Sequence, residues 1–479
     1  MADVLTPEIC LVGGGPGGIA AAMAAVAAGL SVVLVERART GGSDLAFGTI
    51  PSKALVAAAD VYESLRLGPA LGVTGAPLQV NLAKVREHID AVAVSIAPKV
   101  SAERLTALGI RVISGAARFT DRRTIAAGDF VVRARHVILA IGSVPTVPAI
   151  PGLDTVDYMT PRTGIFDLAR KPAHLLVLGA GPYALELAQA HNRLGIDATV
   201  IAGGPALPDI DPELAAVVVN RLRAEGIRVR VNLKIMSVSR RKGGIRFFVE
   251  DAEDAAAGGR IAVDGTHLFV VDGRSPDVED LNLAAAGVAY DQAGIIVDKR
   301  FRTANSSIYA IGDAIAGQPS VARAEFQAAR VVKAIVSRLP AQEELGGAPF
   351  VAFTDPALAS AGLSEDEARK RYGDIRVFRL SFVDNDRAQI ERLPAGLLKV
   401  MTTSTGRIVG AAIVGRDAAE LIAPWSLAIA NRLPLSAMAD PWPAHPSRSA
   451  IARRLAMLPE ARLTPTVRQR IMDLLGKFG

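Results

Sequence analysis

The sequence predicts an α/β chain in which two copies of one strand, turn, helix, strand unit are followed by a separate α+β domain. Three observations carry this. The segments EICLVGGGPGGIAAAMAAVAAGLSVVLVE and HLLVLGAGPYALELAQAHNRLGIDATVIA match in register, the first running from Gly13 to Glu36 over the same spacing as Gly179 to Ala202 in the second. Half of the 479 residues are hydrophobic, 44 are glycine and only 5% are aromatic, a balance suited to helices packed closely on a sheet. From about Ala348 the pattern changes to strands separated by loops (FVAFTDP, IRVFRLSF, GLLKVMTTSTGRIVGAAIVG) and then to helices.

Taken in order, the short apolar strand ICLV runs into Gly13, Gly15 and Gly18, a small-residue helix follows, and the strand SVVLV stops at Glu36. In such a Rossmann-like unit the first glycine makes a tight turn and the second lets backbone approach a pyrophosphate. The third lets the helix pack closely, and an acid at the end of the second strand accepts hydrogen bonds from an adenosine ribose. Downstream, strand HVILAIG enters a Pro-rich connection, which places a domain boundary near residue 150. The second unit then puts Gly179, Gly181 and Ala184 in the three glycine places and Ala202 in the place of the acid. The apolar strand of HLFVVDGRSP and the abrupt end of TANSSIYAIGDAIAG at Gly312 and Asp313 close this half of the chain.

The totals exclude several classes. A net charge of +6, from 54 basic and 48 acidic residues, is too small to imply nucleic acid. A lone cysteine, Cys10, forbids an intramolecular disulfide and points to the cytoplasm. Residues 9–35 carry no charge, but the glycines interrupt them and no basic stretch precedes them, so neither a signal peptide nor a membrane span is expected. Arg448, Arg453, Arg454, Arg462, Arg468, Arg470 and Lys477 alternate with Leu, Ile and Met, which reads as a solvated helical face, with an anionic membrane or partner surface as the alternative. No metal site is read from the sequence.

The ordered set GGGPGG with Glu36, GTIPSKAL, AIGSVP, GAGPYALE, VVDGRSP, YAIGDA, FTDPALASAGLSEDEA and HPSRSA resembles the pyridine nucleotide-disulfide oxidoreductases, the family of dihydrolipoamide dehydrogenase, glutathione reductase and mercuric reductase. The resemblance implies a split FAD domain (1–150 and 275–345), an inserted NAD(P) domain (151–274) and a C-terminal interface domain (346–479) that makes a homodimer. It implies that Gly13, Gly15, Gly18, Glu36, Gly142 and Asp313 hold FAD, and that Gly179, Gly181, Ala184, Glu186 and Gly273 hold NAD(P). Lys53 would also contact the flavin, paired with Glu186 beside N5 on the nicotinamide side.

The departures shape the expected chemistry. Where the redox members of the family carry Cys-x-x-x-x-Cys, this chain has Asp44 and Thr49, which cannot be reversibly oxidised. Cys10, in a buried strand, is expected to be inert. The family's C-terminal histidine–glutamate dyad is reduced to His445, with Ala450 in the place of the acid. Ala202, Gly203 and Gly204 offer neither an acid for a 2'-hydroxyl nor a cation for a 2'-phosphate, so NADH and NADPH both remain open. The expected function is hydride transfer from NAD(P)H to flavin and on to a small, quinone-like acceptor without a thiol relay, with Asp44, Thr49 and His445 on the acceptor side. Two alternatives stand beside it, nicotinamide nucleotide transhydrogenation and a non-catalytic FAD-binding subunit.

Overall fold

The computed structural model describes residues 3–75, 78–164, 171–251, 259–339 and 348–461. It contains two compact units, residues 1–208 with 222–343, and residues 209–221 with 344–479.

The first unit holds two parallel sheets of the same design. In one, Ile9–Val12 is flanked by Val32–Glu36 and His136–Leu139, with Ile110–Ser114 and Ile308–Ala310 at the edges. In the other, His174–Leu178 is flanked by Asp197–Ile201 and His267–Val270, with Arg228–Arg230 outside. The uncharged stretch 9–35 is therefore strand, helix and strand, and among the described residues no helix is long and apolar enough to cross a membrane.

The repeat read from the sequence is a repeat in hydrogen bonding. Gly13 N–H donates to Val35 O at 2.9 Å and Gly179 N–H to Ile201 O at 2.8 Å. Both glycines have positive φ, +105° and +118°, and a Cβ on either would sit 2.3 Å from a carbonyl oxygen, that of Ala140 or of Val271. Only glycine fits both the dihedral and the space. Each turn feeds a helix with proline in its first turn, Pro16–Ala27 and Pro182–Arg193, where the fixed φ of proline suits a helix start.

The helix Thr49–Leu67 packs on the helix Pro182–Arg193. A second long helix, Val321–Ser337, packs on Pro16–Ala27, with Ala324 seated against Gly17 and Gly312.

The second unit is a five-stranded antiparallel sheet in the order Phe350–Ala352, Ala357–Gly362, Ile408–Gly415, Leu397–Thr403, Ile375–Ser381. Phe382, Trp425, Ile429 and Leu455 lie in its core. Residues 209–221, which fall inside the stretch expected as the NAD(P) domain, pack in this unit. Lys399, 3% exposed, draws them in through ion pairs with Asp211 and Glu213 and also holds Glu365 at 2.8 Å.

The reading of the basic C-terminal stretch as a solvated face requires correction for Arg448 and Arg453, while Arg454 is exposed. Arg448 is buried between Glu391 and Asp417, Arg453 donates to Ala439 O and stacks on Trp442, and Arg454 donates to Asp384 O. Alternation with apolar residues is shared by an exposed helix face and by cations tied to partners distant in sequence, so the pattern did not separate them. Arg462, Arg468, Arg470 and Lys477 lie outside the described residues.

Candidate active site

The first glycine turn leaves a cradle. Gly15 caps the helix Pro16–Ala27 with extended backbone and without a side-chain cap, and a Cβ on it would meet nothing within 4 Å. The helix N-terminus thus presents free N–H groups to an open space, the arrangement that accepts a phosphate. Gly18 has the opposite environment, since a Cβ there would lie 1.9 Å from Gly13 O. At the end of its strand, Glu36 accepts Gly14 N–H at 2.5 Å through one carboxylate oxygen and Ala38 N–H at 2.8 Å through the other. Each oxygen keeps acceptor capacity for a ribose hydroxyl.

Asp313 lies in the middle of the short turn Gly312–Ala314 and accepts the Ser143 hydroxyl at 2.9 Å. Arg274 donates to Ser143 Oγ and to Ser143 O, both at 2.7 Å, and lies 3.7 Å from Asp313. Gly142 and Gly273 lead into the antiparallel strands Ser143–Pro145 and Arg274–Pro276, which bring these groups together. Behind them Gln327 accepts the Gly312 N–H at 2.7 Å. Ser143, Arg274 and Gln327 escaped the sequence reading. The first two stood in plain view within AIGSVP and VVDGRSP, but nothing local showed that they meet at Asp313.

Lys53, at the start of the second turn of its helix, forms an ion pair with Glu186, which is buried on the facing helix. Tyr183, three residues before Glu186, lies with its ring 5.9 Å from Lys53 Nζ and donates its hydroxyl to Phe47 O at 2.9 Å. Burial pushes the Tyr183 phenol well above its usual range, so it stays protonated at neutral pH.

Asp44 and Thr49 meet as well. Asp44 Oδ1 accepts the Thr49 N–H at 3.2 Å. Burial pushes the Asp44 carboxyl up, against the opposing pull of the Thr49 hydrogen bonds and the Lys53 charge. The carboxyl of Glu325 is also pushed up, by burial and then by the Asp44 charge. Cys10 is fully buried in its strand, and burial raises its thiol to about 12, so no thiolate forms at neutral pH.

In the second glycine turn a Cβ on Gly181 would again meet nothing within 4 Å, while the methyl of Ala184 is fully buried. Ala202 is held by backbone alone, donating to Arg230 O and accepting from Leu233 N–H. His445 is exposed in the second unit and precedes a cis peptide bond to Pro446.

Residues 7–329 match the family model for pyridine nucleotide-disulphide oxidoreductase, and residues 348–455 match that family's dimerisation domain. The chain belongs to the pyridine nucleotide-disulphide oxidoreductases. It is 31% identical over 457 residues to a dihydrolipoyl dehydrogenase of Bacillus subtilis, covering 94% of this chain and 95% of that one. It is also 31% identical over 451 residues to a mercuric reductase of Streptomyces lividans, covering 92% and 93%. Among solved structures, LpdA from Mycobacterium tuberculosis superposes with a TM-score of 0.83 at 25% identity, covering 94% of this chain and 99% of that one.

As a pyridine nucleotide-disulphide oxidoreductase, the chain has FAD as its cofactor and NADH or NADPH as its pyridine nucleotide. The residues present fit FAD: the Gly15 cradle is open where a pyrophosphate belongs, and Glu36 ends the strand that an adenosine ribose needs. Unlike what the family name implies, this pyridine nucleotide-disulphide oxidoreductase cannot form a disulfide within its chain, because Cys10 is its only cysteine.

Proposed function

We propose that this protein is an NAD(P)H:acceptor oxidoreductase that reduces a small, quinone-like molecule without a thiol relay. FAD, when bound, would supply the two-electron chemistry that carries hydride equivalents from NAD(P)H to the acceptor. The observation that carries the reading is a contrast: the Lys53–Glu186 pair is in place, while Asp44 and Thr49 are joined by a hydrogen bond where redox members of the family carry cysteines.

Each residue has its part. The open helix N-terminus at Gly15 receives the pyrophosphate, Glu36 holds the adenosine ribose, and Asp313, with Ser143 and Arg274 around it, holds the middle of the cofactor. Lys53 sets a positive charge where negative charge builds during reduction, and Glu186 orients Lys53 from a buried position. Gly179, Gly181 and Ala184 receive the nicotinamide nucleotide. Two electrons and one proton leave NAD(P)H as hydride, and a quinone-like acceptor takes up two electrons and two protons. Asp44, its carboxyl raised by burial, delivers a proton on the acceptor side, beside Thr49. His445 joins that side from the second subunit of a homodimer.

The test is stopped-flow mixing with NADH and with NADPH, followed by reoxidation with quinones or with a second nicotinamide nucleotide. Rapid bleaching and rapid reoxidation by quinones are expected. Reoxidation only by the second nucleotide would make the protein a transhydrogenase. Bleaching slower than any plausible turnover would make it an FAD-binding subunit.

A further inference from the structure

The helices Thr49–Leu67 and Pro182–Arg193 carry a second ion pair that the cofactor sites do not use. Arg193 Nη1 donates to Asp60 Oδ1 at 2.8 Å. Asp60 lies seven residues after Lys53, and Arg193 lies seven after Glu186. Seven residues are close to two turns, so both pairs lie on the same helix faces, about 10 Å apart along the axes. The signs alternate, with Lys53 on Glu186 and Asp60 on Arg193. A seven-residue slip would set Lys53 against Arg193 or Asp60 against Glu186. Antiparallel packing would create both like-charge contacts, so this charge pattern opposes the reversed direction and a seven-residue slip.

Arg193 is built for that task. Its side chain is 3% exposed and grips Glu225, 5% exposed, with two parallel bonds, Nε to Oε2 at 3.0 Å and Nη2 to Oε1 at 2.7 Å. Glu225 is fixed in turn by Gln189 Nε2 at 3.1 Å and by Asn192 Nδ2 on its carbonyl at 2.9 Å. The guanidinium is therefore oriented by Glu225, itself held by Gln189 and Asn192 of the Arg193 helix, before it meets Asp60 through Nη1. A bidentate fork holds direction as well as charge, which a lysine does not.

We infer that Arg193, anchored on Glu225 and gripping Asp60, is a positioning residue that sets the register of the Lys53 helix and so the place of the Lys53 ammonium. The inference rests on the reading that Lys53 assists flavin reduction. Asp60, 38% exposed, is the gentle place to break the contact.

In the FAD-loaded protein, Asp60→Asn and Arg193→Lys should slow flavin reduction by NAD(P)H about tenfold, inside the hundredfold that a misplacement of about 1 Å can cost. Both should make the flavin midpoint potential more negative, because the displaced cation stabilises reduced flavin less, and both should leave reoxidation by a quinone unchanged. Asp60→Glu should recover most of the loss. In a Lys53→Met background, Asp60→Asn should add nothing, since its whole effect passes through Lys53. If Lys53→Met lowers reduction rate and potential but Asp60→Asn and Arg193→Lys leave both at the parent values, the register role is wrong. Additive effects of Asp60→Asn and Lys53→Met would also overturn it. If Lys53→Met changes neither quantity, the reading of Lys53 fails first and takes this inference with it.

Discussion

At the scale of single residues, two neighbouring glycines do different work and should fail differently. Gly13 is fixed by backbone geometry, so Gly13→Ala forces a methyl to within 2.3 Å of Ala140 O at φ +105°. The strained dihedral alone costs about 1–3 kcal/mol, and thermal melting should show the loss even without cofactor. Gly15 is fixed by the space in front of it, so Gly15→Val should fold with near-parent stability and lose FAD on gel filtration. A variant that bound FAD normally would remove the pyrophosphate from that space. Asp44 supports a prediction in pH. Its raised carboxyl keeps its proton to higher pH than an ordinary aspartate, so quinone-dependent reoxidation should fall as pH rises through that raised value. Asp44→Asn should be slow throughout and lose this dependence, while reduction by NAD(P)H stays near normal. A parent profile that is flat over the whole acid range would rule Asp44 out as the proton donor.

At the scale of elements, the interior of the second unit depends on a buried cation. Lys399→Met should cost on the order of 3 kcal/mol in urea unfolding, the low end for breaking a buried pair, because its partners keep partial access to water. The same cluster gives an acid limit. The Lys399 hydrogen bond, with help from Arg369, holds Glu365 at about 2 against an ordinary value of 4.5. A carboxylate depressed in the folded state contributes stability above the unfolded value and loses it as pH falls through the folded one. Melting temperature should therefore drop between about pH 4.5 and 2, and more shallowly in Lys399→Met.

At the scale of the whole molecule, the cofactor and the second subunit make the measurable differences. FAD at a hundredfold excess over its dissociation constant should add about 2.7 kcal/mol to the stability of the apoprotein. FMN, without an adenosine for Glu36, should add little, and equal stabilisation by the two would remove the role of Glu36. Trp442 is 82% exposed in the single chain, within the dimerisation domain, and Arg453 stacks on its ring at 4.0 Å. Light scattering on the eluted protein should give about twice the chain mass of 50.0 kDa.

The sequence by itself determined what local geometry controls. The two glycine turns, their helices and the closing strands were legible because each needs a specific residue at a short, fixed spacing, and Gly13 and Gly179 indeed both hold positive φ. The α+β character of the last domain was equally plain in its alternating strands. Long-range pairs were another matter. Ser143 with Asp313 is separated by 170 residues, Arg274 with Ser143 by 131, and Arg193 with Asp60 by 133. Charged side chains look alike in sequence whether they face water or buried partners, as Arg448 and Arg453 proved. Lys53 with Glu186, also 133 apart, was expected only because the order of motifs resembled a known family. Short-range sterics act on neighbours along the chain. The direction of a buried charge is decided only when sheets and helices have packed and removed the water that would otherwise have served it.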